Sequence, residues 1–250
     1  MKRLLCIAGV VLVLVSGASA QAAFEAQPLR GTVSYPQGSA EGAARFSYRY
    51  RLPQFTEELP QAAAVNAYFA AYANDLLSVG IPAAAGGLDS LPAAGEPEYY
   101  VDLDYDITAY DPQTLSVVLV NQRFLGNVLT ETYDSAVFAL DGLYAGQRLT
   151  LTQAMGLEQE TGEANVAAEL AYGLVWQIVQ YEIAAMQKAY FPGVTQEEFR
   201  AAFSPERDFY FDADGNFVFY IQAGLIAAEV EGVLTFPFSL AELLSAVTQG

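Results

Sequence analysis

The chain has no histidine and a single cysteine, Cys6. The first absence removes Ser-His-Asp and Cys-His catalysis, and with them every zinc site that needs an imidazole. The second excludes an intrachain disulfide. Cys6 also falls within the export signal described below, so thiolate chemistry is missing from everything after it. Lysine is nearly absent: beyond Lys2 there is only Lys188, and Ala185 stands where a Ser-x-x-Lys nucleophile would need its serine. Charge is sparse, at 16% of residues, and one-sided, with 29 acidic against 11 basic residues. Nucleic acids and anionic membranes are held by Lys and Arg, so neither is an expected partner. No cofactor is called for. The catalytic option left is a carboxylate pair of the kind glycosidases use, and none stands out among the 29 acids.

Apolar residues make up 53% of the 250, which is far from the composition of a disordered chain and predicts a packed core. A domain of this length buries roughly 70–75% of its unfolded surface and needs no disulfide. The first twenty residues have the form of an export signal. Lys2 and Arg3 are a basic start, Leu4 to Val15 an apolar run, and Ala18-Ser19-Ala20 a small-x-small cleavage site. The run falls short of the about 20 residues that span a bilayer. Cleavage removes Lys2 and Arg3 and takes the formal charge from −18 to −20. The product is expected to be secreted or extracytoplasmic. Residues 21–30 read as a flexible leader and 31–248 as a single domain.

That domain is organised around a stretch from Glu98 to Leu151 that reads as a three-stranded antiparallel meander. In the first strand Tyr99, Val101, Leu103, Tyr105, Ile107 and Ala109 alternate with Tyr100, Asp102, Asp104, Asp106, Thr108 and Tyr110. This period of two predicts one buried and one wet face. Asp111-Pro112 opens a turn, Leu115 to Phe124 returns as a more apolar strand, and Thr132 to Leu140 forms the third. Before the meander, Thr32 to Pro36 starts a strand. Arg45 to Leu52 alternates Phe46, Tyr48 and Tyr50 with Arg45, Arg49 and Arg51. Leu59 to Val79 carries an apolar stripe of Val65, Phe69, Tyr72 and Leu76 and reads as a helix, with Pro60 early in it and Gly80-Ile81-Pro82 ending it.

After the meander, Thr152 is a candidate cap for a short turn closed by Gly156. Ala164 to Phe191 is a long helix, apolar nearly all round and therefore placed across the sheet. Thr195-Gln-Glu-Glu198 and Ser239-Leu-Ala-Glu242 are capping boxes for two short helices. Asp208 to Gln222 is a hairpin, with further strand through Val230 and at Val233 to Phe236. The fold class that follows is α+β: an antiparallel sheet with a central meander, packed by two long helices and short C-terminal helices.

Two groups of residues are candidate sites. Asp102, Asp104 and Asp106 form a row about 7 Å apart along a strand, able to face a cationic partner or to pair with Arg45, Arg49 and Arg51 on a neighbouring strand. Asp212, Asp214 and Asn216 resemble the start of a calcium loop, but Gly215 comes at the fourth position and Ala223 at the twelfth, where an EF-hand has Gly at the sixth and Glu at the twelfth. An Asp-Gly turn between aromatic strands accounts for the same residues.

Further residues carry a family resemblance. They are Val33-Ser-Tyr-Pro36, Val65-Asn66, Tyr105 to Val120, the Gly126-Asn127 turn, Phe138 to Leu149 and Phe209-Tyr-Phe211. Together they resemble the extracellular domain of lysozyme-sensing anti-sigma factors, which also stands as a non-catalytic region before the catalytic domain of some peptidoglycan deacetylases. The resemblance implies a cell-envelope recognition domain whose partner is a cationic protein such as lysozyme, or peptidoglycan. The chain departs from the family at Phe124 to Leu129, where Gly-Gly-Ala-His is usual, and at Ala227 to Gly232, where a Tyr-Glu-Ile-Ala-Pro-Tyr segment is usual. The alternative from another class is a carboxylate-dependent hydrolase acting on cell-wall glycan. Only three residues precede the apolar run, so no direct sigma-factor binding is expected. N-terminal sequencing of exported protein should read from Gln21; a retained Met1 in the membrane fraction would make the apolar run an anchor.

Overall fold

A computed structural model of the chain describes residues 24–35, 45–86, 99–124, 128–157 and 166–247. The export signal and the Gly126-Asn127 turn lie outside the described residues. Five strands form the larger sheet in chain order: β1 (Leu29–Tyr35), β2 (Phe46–Leu52), β3 (Tyr99–Tyr110), β4 (Thr114–Phe124) and β5 (Leu129–Ala139). The meander is as expected, with its third strand starting three residues earlier. Asp111 Oδ1 closes the first turn by accepting from the N–H groups of Gln113 and Thr114 at 2.7 and 2.8 Å. All pairs are antiparallel except β2 with β3, which is parallel. Apart from that one pair the sheet is antiparallel, as expected. A parallel neighbour requires a crossover, and helix α1 (Ala62–Asp75) supplies it.

α1 covers one face of this sheet. Val65 and Phe69 are fully buried with Leu103, Val117 and Phe138, and the Phe69 and Phe138 rings lie 5.8 Å apart. Burying each such side chain contributes about 1.5–3 kcal/mol. Asn66 ties the helix to the segment after β2, accepting from Phe55 N–H and donating to Phe55 O, both at 2.9 Å. The helix starts at Ala62, later than expected, because Gln61 is left-handed (φ 62°) and leaves Pro60 in the preceding turn. It also does not stop at Pro82. A π turn (Leu76–Gly80) leads into α2 (Ile81–Gly86). Pro82 has no N–H for the carbonyl four residues back, and the widened turn ahead of it accommodates that loss.

Two further differences follow from packing. The expected flexible leader is ordered from Phe24, whose ring is buried 4.4 Å from that of Tyr110. Phe24 and Ala26 also exchange backbone hydrogen bonds with Thr56 and Gln54. β3 carries an irregularity between Ile107 and Ala109, and a bulge there swaps faces. Ala109 consequently packs on the opposite core to Ile107, and Tyr110 joins Ile107, the reverse of strict alternation.

The second sheet, β6 (Phe209–Phe211), β7 (Phe217–Ile221) and β8 (Leu234–Phe238), is antiparallel and separate from the first. It packs on the outer face of β3–β5, at their Tyr110, Thr114 and Ala139 ends. Phe211 N–H donates to Ser116 Oγ at 3.0 Å, and Ser135 Oγ donates to Phe209 O at 2.6 Å. The strand expected through Val230 is instead a 3-10 turn (Glu229–Glu231) with Val230 87% exposed.

Helices surround this second core. α3 (Leu151–Ala154) is capped by Thr150, not Thr152: Thr150 and Gln153 form the capping box, while Thr152 is buried. α4 (Val166–Ala184) ends well before Phe191. Met186 adopts φ 51°, and the N–H groups of Gln187 and Met186 return to the carbonyls of Glu182 and Ile183, a Schellman stop with Met in glycine's place. α4 buries Ala167, Ala171, Val175 and Val179 in one core with Phe199, Phe219 and Phe236. It therefore packs with the second sheet and not across the first. α5 (Gln196–Ala202) and α6 (Leu240–Val247) open on their expected capping boxes. No described helix is long and apolar enough to cross a membrane.

Gly31 is the tightest point of β1. A Cβ there would lie 2.6–2.8 Å from Oη, Cζ and Cε1 of Tyr50, its register partner. Gly31→Ala should lower unfolding free energy by about 1–3 kcal/mol through overpacking, measured by denaturant titration, and Gly31→Ala/Tyr50→Phe, which removes the Oη clash, should recover part of it.

Candidate functional site

The outer face of the larger sheet has two halves. The second sheet covers one. On the other, register sets polar side chains side by side across all five strands. Thr32, Arg49, Asp102, Gln122 and Glu131 form one row. In the next, Arg30 pairs with Arg51, and Asp104 with Val120 and Tyr133. With Asp106 these residues line an open groove of about 850 Å³. Its origin is the strand alternation: α1 takes the apolar side of β2 and β3, and the arginines and aspartates are left pointing away from it.

The row of aspartates is therefore not a bare acidic face. Arg49 grips Asp102 with two parallel bonds, Nε to Oδ1 at 2.6 Å and Nη2 to Oδ2 at 2.7 Å. Arg51 Nε meets Asp104 Oδ1 at 2.6 Å. Pairing to the arginine strand is thus realised for Asp102 and Asp104. The guanidinium of Arg49 lies 5.6 Å from the Tyr100 ring centre, and that of Arg51 lies 5.0 Å from the Tyr105 ring centre. The acids of both pairs are a third to half exposed, and ion pairs of this kind contribute about 0.2–1 kcal/mol. A ligand group that displaces one partner consequently costs the fold little.

Asp106 lies at the covered end of the groove, beside Tyr133. Burial, and then the carboxylates of Glu131 and Asp106, push the Tyr133 hydroxyl up to about 12. Tyr133 is fixed by Gln222, which accepts from its N–H at 2.9 Å and donates to its carbonyl at 2.7 Å. Glu131 accepts from Gln122 Nε2 at 3.1 Å. At the opposite edge Arg30 is exposed, and among the described residues no ion pair includes it. The groove thus carries three arginines and four carboxylates, a formal balance of −1. Arg30, Gln122, Glu131 and Tyr133 were not singled out in the sequence. Gln122 and Glu131 do share the meander's alternation and would be found by laying its strands side by side. Arg30 needed the pairing of β1 with β2.

The second candidate group is a turn. Asp212 Oδ1 accepts from the N–H groups of Asp214 and Asn216, both at 2.9 Å, and Oδ2 accepts from Asn216 Nδ2 at 3.0 Å. The carboxylate that would lead a calcium loop is engaged by the turn itself, and Gly215 takes the positive φ it needs. Among the described residues no group of three or more His, Cys, Asp or Glu is placed to hold a metal ion.

Because the Arg–Asp pairs are exposed, Asp102→Asn with Asp104→Asn should change stability by less than about 2 kcal/mol while turning the groove from a net −1 to +1. Denaturant titration checks the first. A large loss of stability would make the pairs structural and not part of a ligand surface.

No protein-family model matches the chain, and no curated protein matches it in sequence. Among solved structures, a DUF3298 family protein from Pseudomonas aeruginosa matches with a TM-score of 0.49 at 14% identity, over 87% of this chain and 91% of that one. A member of the same family from Bacteroides fragilis matches with a TM-score of 0.47 at 10% identity, over 88% and 96%.

Proposed function

We propose that the chain is an exported, non-enzymatic recognition domain of the cell envelope, and that the groove across β1–β5 is its ligand surface. The observation that carries this reading is the state of the groove's central carboxylates. Asp102 has both oxygens committed to one guanidinium, and Asp104 is paired in turn. General acid–base or nucleophilic work on a glycan requires two facing carboxyl groups free to exchange a proton or attack. Recognition requires fixed donors, acceptors and charges, which paired residues on a rigid sheet provide.

The shape of the groove favours peptidoglycan over lysozyme as the ligand. Its volume of about 850 Å³ falls within the roughly 300–1,000 Å³ of small-molecule sites. A protein partner needs about 800 Å² of matching surface on each side, and a face with a net −1 offers a cationic protein little local attraction. The export signal and the family resemblance both support a ligand of the envelope.

The test is calorimetry of the exported protein against soluble peptidoglycan fragments, with hen-type lysozyme and intact sacculi in parallel. Fragment binding should appear without glycan cleavage, and Asp102→Arg, which refills the groove with charge of the wrong sign, should weaken it at least tenfold. Tight lysozyme binding with no fragment binding would replace the proposed ligand. Release of new reducing ends would replace recognition with hydrolysis.

A further inference from the structure

The charges of the groove are sorted by strand. The basic residues stand on β1 and β2, as Arg30, Arg49 and Arg51; the acidic ones stand on β3 and β5, as Asp102, Asp104, Asp106 and Glu131. Where the two sets meet, at the β2–β3 seam, they cancel in the Arg49–Asp102 and Arg51–Asp104 pairs. What remains is a separated dipole. Arg30 carries an uncancelled positive charge at the β1 edge, Glu131 an uncancelled negative charge at the β5 edge, and Asp106 a further one on the central strand β3. The groups facing those two acids across the groove are Gln122 and Tyr133, neither of them cationic.

From this arrangement we infer that the groove binds a short zwitterionic peptide laid across the strands, its carboxylate on Arg30 and its amine on Glu131. The inference rests on the groove being the ligand surface. A ligand of one sign would leave one end of the dipole unmatched, and a neutral glycan would leave both. Arg favours a carboxylate because its fork matches the two oxygens, and the Glu131 carboxylate beside the Tyr133 hydroxyl offers acceptors to an ammonium's three donors. The span is also set. Five strands about 4.8 Å apart place β1 and β5 about 19 Å from each other. Less the reach of the side chains, that length suits an extended peptide of about four residues at roughly 3.4 Å each. The β2–β3 seam between the ends offers the backbone of such a peptide paired, already neutralised partners.

The probe is a synthetic four-residue peptide with a free N-terminal amine and a free C-terminal carboxylate, compared with its amidated and its N-acetylated forms. Each cap should lower the affinity of the wild-type chain about tenfold, the scale of one charge-assisted hydrogen bond. Arg30→Gln should bind the free and amidated peptides alike while still rejecting the acetylated one. Glu131→Gln should show the converse. Both positions are on the exposed side of the sheet, and circular dichroism checks that the variants keep their fold. The reversed pattern would overturn the orientation. Equal sensitivity to both caps in every variant would overturn the dipole as the reader. If the wild type binds no peptide yet binds glycan chains in a manner sensitive to Asp102→Arg, the zwitterionic ligand is wrong and the groove stands. If it binds neither, the groove itself is wrong.

Discussion

Everything in this structure depends on β3, β4 and β5 being long enough to serve two cores. They run 12, 11 and 11 residues, about twice the usual strand. Their inner face is apolar along much of its length and holds α1. Their outer face changes character midway. On β5 it reads Glu131 and Tyr133, then Ser135, Val137 and Ala139; on β4 it reads Gln122 and Val120, then Val118 and Ser116. The second sheet settles where the outer face turns apolar and stops where it turns polar. The groove is the part of one continuous sheet that no apolar surface claims.

The seam between the two sheets shows why that boundary is firm. Ser116 and Ser135 are fully buried hydroxyls. Ser116 Oγ receives Phe211 N–H and the hydroxyl of Thr108. Ser135 Oγ lies within hydrogen-bond distance of Phe209 O and Tyr220 Oη. A small sheet sliding on an apolar face would lose little, but sliding past these hydroxyls strands a buried donor or acceptor at about 1–3 kcal/mol each. Two serines thus convert non-directional packing into a fixed position. That position sets Gln222 against the edge of β5, and with it the orientation of Tyr133 at the end of the groove.

The features legible in the sequence are those written into a few neighbouring residues. The alternation of β3 as far as Ile107, the turn at Asp111, both glutamate capping boxes and the Asp-Gly hairpin are local patterns, and each appears where the sequence places it. The features that were not legible are set by distant partners. Nothing near Phe24 announces that it will fill a gap beside Tyr110, and nothing near Met186 marks it for the left-handed position that stops α4. Parallel pairing of β2 with β3 is decided by a crossover helix, not by either strand. The candidate site divides the same way. Asp102, Asp104 and their arginine partners follow from alternation. The groove as a whole needed the register of β1 on β2 and of β2 on β3, which no local rule supplies.

That register also changes what the acidity of the chain can mean. A formal charge of −18 suggests at first a surface built to attract cations at long range, and the aspartate row looks like its focus. Two of the row's three members, Asp102 and Asp104, are instead paired with arginine. A far field of this kind fades beyond a Debye length of about 10 Å at 0.1 M salt, whereas charges at contact inside a groove are screened much less. The general acidity therefore serves solubility and weak steering. For a ligand in the groove, selectivity would come from the few charges left without partners, because the wrong ligand would leave them desolvated and unpaired, and that penalty discriminates more sharply than attraction does. A surface of mixed sign, nearly neutral in sum, is accordingly a better reader of chemical detail than the acidic patch the composition alone suggests.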